Sequence, residues 1–402
     1  MTMQTFTGID YLKIDVASNF GLDKEIWEKR IHWFNQNEHQ LEHLLKQAKE
    51  PALYYAGVKA YRDVQAGKPI GYMISLDATS SGLQILAALT GDRSAAELCN
   101  VVDVGYRENA YTAIHSAMVS QTGTGSSITP EDAKQAIMTS LYGSTAMPKR
   151  IFGEGDELAV FYRTMEQMAP AAWELNQAML TLWDPTALSF DWVLPDNFHV
   201  HTPVMDTVTE TVHISGEPFE ISYKVNQPVE GGRALGANMV HSIDGMIVRE
   251  MTRRCDYEPE RINQLRECLE QPELFDNATL TDDDHLVAIL WDHYAQSGYL
   301  SARILDHLNL QNLGHVDPAV VRNMLDTLPE KPFKVVSVHD CFRCLPHYGN
   351  DLRTQYNLQL QLIARSNLLQ ALISQIMGKP VSIGKLDPTL WHDISQANYA
   401  LS

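Results

Sequence analysis

Lys134, Met138 and Tyr142 recur every fourth residue within TPEDAKQAIMTSLYG (129–143). At about 100° per residue such a set drifts only about 40° per step, so the three side chains share one helical stripe. Lys134 and Tyr142 then lie roughly 12 Å apart along the axis. That span suits one nucleotide, with a cation at its triphosphate and an aromatic ring at its sugar and base. Two aspartates stand where short apolar runs end: Asp77 after IGYMISL and Asp340 after FKVVSVH. Two strand-end carboxylates and a Lys/Tyr-Gly helix are the parts of a nucleotidyl-transfer site. Phosphoryl transfer asks a protein for positioning and charge neutralisation more than for covalent chemistry. Two Mg²⁺ ions about 3.5–4 Å apart activate an attacking hydroxyl and stabilise a leaving pyrophosphate. Such ions need hard oxygen ligands, which Asp77 and Asp340 would supply.

The elements that must hold these residues are readable locally. Thr129 is a good N-cap, Pro130 suits the first helical position, and Asp132 can close a capping box. Residues 70–76 alternate as a strand, with Met73, Ser75 and Asp77 on one face, and a helix follows from near Leu83. In 333–340, Val336, Val338 and Asp340 share one strand face, and Ser337 and His339 the other. Each motif has a plainer reading beside it. The 129–143 stretch reads as an ordinary amphipathic helix, Asp77 as a helix cap, and His241 as a packing histidine. GTGSS (123–127) lacks the Gly-Lys-Ser/Thr ending of a phosphate loop and reads as plain loop. Cys341 and Cys344, flanked by His339 and His347, allow a zinc site, but no second Cys pair accompanies them.

Along the chain, Trp27, Ile31, Phe34, Leu41, Leu44 and Leu45 mark an amphipathic helical stretch that Pro51 breaks, and a second helix runs to about Gln65. Residues 94–121 read as helical, and 156–183 as helical with a kink at Pro170. The texture turns β-rich from Phe190, with a hairpin expected across 198–226. GANMVHSIDG starts a helix bearing His241. Residues 255–331 look helical and acidic, with Asp282, Asp283 and Asp284 a solvated loop or helix start. A long helix is expected over 351–377.

Composition sets limits. The chain has 402 residues, 45% of them hydrophobic, enough for a real core. It has no run of about 18 apolar residues. It opens without a basic n-region and apolar h-region, so no membrane and a cytoplasmic location are expected, the bacterial host cytoplasm if the source is a phage. Five cysteines do not make a disulfide scaffold. Fifty acidic against 31 basic residues give a formal charge of −19, awkward for a nucleic-acid binder. A locally positive cleft is expected from Lys13, Lys59, Arg62, Lys134, Lys149, Arg150 and Arg249.

In order, DATSSGLQ, KQAIMTSLYG, NMVHSIDG and VHDCF resemble the motifs of the single-subunit RNA polymerases of phages and mitochondria, most closely the large subunit of split, heterodimeric phage enzymes. YLKIDVASNFGLDKEIWEKRIHWF and DWVLPDNF add to the resemblance. It implies an α/β (α+β) right-hand architecture with an antiparallel catalytic sheet. The palm would comprise 1–90 and 241–402, with an insertion at about 255–331, and mostly helical fingers would comprise 91–240. It implies that Asp77, the Ala78 carbonyl and Asp340 bind two Mg²⁺ ions, and that Lys134 contacts the triphosphate and can protonate pyrophosphate. Tyr142 and His241 would sense the ribose 2′-hydroxyl, with Met138 and Gly143 along the same substrate face. His339 would lie near the primer end, and 198–226 would match a promoter-reading hairpin. DNA template, RNA product and ribonucleoside triphosphates are the implied partners. Gln135 and Pro130 stand where the family places arginines, so another cation must substitute. An N-terminal domain, a thumb and an Asp-x-x-Gly-Arg motif are missing, which points to a smaller second subunit that supplies them. A family A DNA polymerase shares the Lys-x7-Tyr-Gly spacing, but 78–82 contains no glutamate to block a 2′-hydroxyl. A non-catalytic scaffold subunit is the other alternative.

Overall fold

The computed structural model describes residues 2–122, 128–232, 234–270 and 282–402; GTGSS (123–127) lies outside them. The protein is a mixed helix-and-sheet structure in which helices predominate. Its central sheet joins distant parts of the chain. Strand β1 (Ile74–Asp77) pairs antiparallel with β7 (Cys341–Cys344), which pairs with β6 (Val336–Val338), in the order β1-β7-β6. The strand before Asp77 is shorter than its sequence reads, since pairing with β7 begins only at Ile74. The C-terminal residues close the other side. Asp77 and Ser402 exchange backbone hydrogen bonds of 3.3 and 2.9 Å, and Ala78 bridges Leu401.

After β1 comes the Ser81–Thr90 helix, SGLQILAALT, buried at every residue. A helix apolar all round belongs inside a domain. It packs against the helices Pro170–Thr181, Ala234–Cys255 and Gly349–Arg365. Besides Ser81 and Thr90 at its ends it buries Gln84, whose amide donates to the carbonyls of Cys99 and Ala400 and accepts from the Tyr356 hydroxyl. The segment 262–328 has a separate core around Ile304, Leu313, Val321 and Leu325. Asp282 opens the Asp282–Ser297 helix.

Four local expectations change. Residues 94–121 are not one helix: Arg93–Leu98 and Ala110–Thr122 flank a loop, because Asn100 (φ 63°) and Gly105 (φ 87°) leave helical geometry. The 198–226 region is two ribbons. β2 (Ser189–Val193) pairs with β3 (His199–Pro203), and only β4 (Met205–Ile214) and β5 (Glu217–Asn226) form the hairpin. Its two-residue turn, Ser215 (φ 54°) and Gly216 (φ 88°), has the positive φ pair that matches strand twist. The long C-terminal helix breaks at Ser366, which is extended, into Gly349–Arg365 and Leu368–Met377. The kink at Pro170 is a full break at Ala169 (φ −142°), between Asp156–Met168 and Pro170–Thr181.

Candidate active site

The two aspartates reach one place by different routes. Asp77 ends β1 and sits opposite Cys341. Asp340 is the second residue of the two-residue turn that closes β6 onto β7, where Val338 faces Cys341. Its backbone carbonyl accepts from the Ala78 N–H at 3.2 Å. His339, the first turn residue, has φ 56°. A non-glycine residue there costs of order 1 kcal/mol or more, which the flanking strand pairs must outweigh.

A cleft of about 410 Å³ opens at this end of the sheet. It is lined by Asp23, Lys24, Asp77, Ala78 and Thr79, by Arg107, Tyr111 and Thr112 with their neighbours, by Pro130, Glu131 and Lys134, and by Ser402. Asp77 remains open to the cleft, yet the walls withdraw enough solvent to raise its carboxyl to about 6, with Asp340 and Asp23 adding repulsion. A larger hollow of about 570 Å³, bordered by Arg261, Leu265 and Leu310, lies on the 255–331 segment and has no carboxylate pair.

The Pro130–Leu141 helix supplies Lys134. Its start is capped as the sequence predicts: the Thr129 hydroxyl accepts from the Asp132 N–H at 3.1 Å and donates to the Asp132 carboxylate at 2.7 Å. The Lys134 ammonium lies 5.8 Å from the centre of the Tyr111 ring. Tyr142 is the C-cap of this helix, and Gly143 follows at φ 80°. The Tyr142 ring lies 4.7 Å from that of His241, which projects from the Ala234–Cys255 helix. Burial, together with Asp244 and Asp340, raises the Tyr142 hydroxyl pKa. A Cβ on Gly82 would come within 2.9 Å of that hydroxyl, so the tyrosine fits only against glycine. Met138 is exposed on the helix between Lys134 and Tyr142. Of the residues the sequence singles out for the site, Asp77, Ala78 and Lys134 line the cleft, whereas Met138, Tyr142, Gly143, His241, His339 and Asp340 lie outside the lining proper.

The expected positive cleft is not there. Of the seven cations named for it, only Lys134 lines it. Arg62 pairs with Glu42, Lys149 with Glu154, and Arg249 with the buried Asp196; Lys13 donates to Asn35. Four carboxylates, Asp23, Asp77, Glu108 and Glu131, face three cations, Lys24, Arg107 and Lys134. The zinc reading also fails. Cys341 and Cys344 are three apart on one strand and point to opposite faces. Cys344 is buried, and burial raises its thiol pKa.

Sequence reasoning missed Asp23, Lys24, Arg107, Tyr111 and Asp244. Asp244 had a signal, standing one helical turn beyond His241. Its carboxyl is pushed up to about 6 by burial and by Asp340, against the pull of His339. Arg107 had none, because its loop reads as helix.

Residues 4–156 match the family model of DNA-dependent RNA polymerase. The family resemblance therefore stands on this segment. It covers β1, Asp77, Lys134 and Tyr142. The chain is also 34% identical over 111 residues to a Neurospora crassa protein described as a probable DNA-directed RNA polymerase. That alignment covers 25% of this chain and spans 12% of the relative's length. Neither match favours a DNA polymerase or a scaffold. Among the described residues, no helix is long and apolar enough to cross a membrane.

Proposed function

We propose that this chain carries the catalytic centre of a DNA-dependent RNA polymerase and performs template-directed nucleotidyl transfer. The observation that carries the reading is that the pairing of β1 with β7 brings Asp77 and Asp340, from segments far apart in the chain, to one end of the sheet, beside a cleft lined by Asp77 and Lys134. The shared β1-β7-β6 sheet supports a discontinuous palm, 1–90 with 241–402, and fingers at 91–240.

The donor set fits magnesium. Burial, with Asp340 and Asp23 adding repulsion, raises Asp77 to about 6, and among the described residues no cation forms an ion pair with it; a divalent ion would relieve that crowding. Among the described residues, no three His, Cys, Asp or Glu side chains form a closed cage. Mg²⁺ suits that, since it is held by one or two carboxylates and completed by substrate phosphates and water. Asp77, Asp340 and the Ala78 carbonyl would hold two such ions, whose chemistry when bound is to activate the attacking 3′-hydroxyl and stabilise pyrophosphate. Lys134 would neutralise the triphosphate and donate a proton to the leaving group. Tyr142 and His241, in ring contact, would receive the ribose, with Met138 and Gly143 beside them. His339 would stand at the primer end.

The charge of −19 and the near-balanced cleft support a second, more basic polypeptide that holds the RNA–DNA hybrid. The test is extension of an RNA primer on a DNA template by the chain with and without co-purifying protein. Asp77→Ala and Asp340→Ala are each expected to abolish nucleotide addition while the circular dichroism stays native. Near-normal extension by either variant refutes the site, and processive synthesis by the isolated chain refutes the partner.

A further inference from the structure

The Pro130–Leu141 helix gives the cleft one cation, Lys134, whereas a nucleoside triphosphate brings up to four negative charges. Among the described residues, Arg107 is the one guanidinium in the cleft lining. Among the described residues it forms no ion pair with a carboxylate. Its Nε donates to the Ser402 hydroxyl over a long 3.4 Å, and its Nη1 donates to the Lys24 carbonyl at 3.2 Å. A guanidinium has five N–H donors, so three remain uncommitted. Burial lowers its pKa, and Asp23, the largest opposing charge, offsets that only in part. It is a cation drawn from water without a full counter-charge.

The loop that carries it is fixed. The Asn100 side chain donates to the Glu108 carbonyl at 3.0 Å and accepts from the Glu108 N–H at 2.7 Å. It also reaches the Thr79 hydroxyl at 3.3 Å, two residues from Asp77. Asp103 accepts from the Gly105 N–H with one oxygen and from the Asn398 amide with the other. Asn109 caps the next helix by accepting from the Thr112 N–H at 3.2 Å. Arg107 is thus held from both sides by contacts that run to the strand end bearing Asp77. A rigid planar fork of this kind matches phosphate oxygens better than an ammonium does.

We propose that Arg107 binds the phosphate chain of the incoming nucleoside triphosphate, alongside Lys134. The inference rests on the nucleotidyl-transfer reading above and adds a specificity residue to it: Arg107 selects triphosphate over monophosphate.

The test is equilibrium binding of magnesium-ATP and of magnesium-AMP to the protein in its RNA-extending assembly, for wild type, Arg107→Gln and Arg107→Lys. Loss of a charge-assisted hydrogen bond raises the ATP Kd about 10-fold in Arg107→Gln and leaves AMP within about 2-fold. Arg107→Lys, with charge but no fork, falls between. Thermal melting checks that both variants fold. Unchanged ATP affinity in Arg107→Gln overturns the proposal. So does equal weakening of ATP and AMP that Ser402→Ala reproduces, because Arg107 would then only anchor Ser402. A wild-type protein that binds neither nucleotide overturns the polymerase reading itself, and this proposal with it.

Discussion

Gly82→Ala places a methyl group against the Tyr142 hydroxyl, and the sign of its effect on stability can be worked out. Gly82 lies in the first turn of the buried Ser81–Thr90 helix. Elsewhere in a helix, alanine for glycine gains about 0.5–1 kcal/mol from backbone entropy. Here the new Cβ would sit 2.9 Å from the Tyr142 hydroxyl oxygen and 3.2 Å from the adjoining ring carbon. The tyrosine is the C-cap of its helix and rests on His241, so it has little room to retreat. Overpacking of this kind costs about 1–3 kcal/mol, so the net expectation is a loss of about 0.5–2 kcal/mol. Deleting the hydroxyl removes the closer contact and leaves only the one at 3.2 Å. Tyr142→Phe should therefore restore about 1 kcal/mol to the Gly82→Ala background. Urea unfolding of the four proteins measures the coupling. Additivity within about 0.3 kcal/mol, or a Gly82→Ala protein more stable than wild type, refutes the reasoning.

Tyr142→Phe should reduce ribose-over-deoxyribose discrimination by roughly 2- to 13-fold, the worth of one neutral hydrogen bond, measured by competing the two nucleotides in primer extension. Asp196→Ala should cost about 3 kcal/mol in urea unfolding, because it leaves Arg249 without its carboxylate, while Arg253 keeps Glu250. Burial works against the Asp196 charge, yet those two arginines hold its carboxyl below the usual range. Asp15 is buried, accepts from the Ser75 N–H at 2.8 Å and from the Tyr72 hydroxyl, and is raised by that burial from 3.8 to about 6. A raised carboxyl favours the fold only at low pH, so the wild type loses stability as pH climbs from about 4 through 6. Asp15→Asn abolishes that loss, and its stability relative to wild type should improve by about 3 kcal/mol between pH 4 and pH 7. An unchanged difference across that range refutes the assignment.

What the sequence determined by itself is local. The Thr129 cap, the Lys134–Tyr142 stripe, the apolar runs ending at Asp77 and Asp340, and the helix bearing His241 all rest on hydrogen bonds and periodicities within a few residues. Such signals survive in the chain before it folds. Position along the chain also sufficed for the family resemblance over 4–156. What only the tertiary structure decided is which distant segments meet. Asp77 and Asp340 become neighbours because β1 pairs with β7, a register no local pattern encodes. The fate of each cation depends on the carboxylate it finds, so Arg249 is spent on Asp196 while Arg107, inside a stretch that reads as helix, is left facing the cleft. Asn100 turns that stretch into a loop by bonding to Glu108 and Thr79, and those contacts exist only once the strand and the loop have been packed side by side.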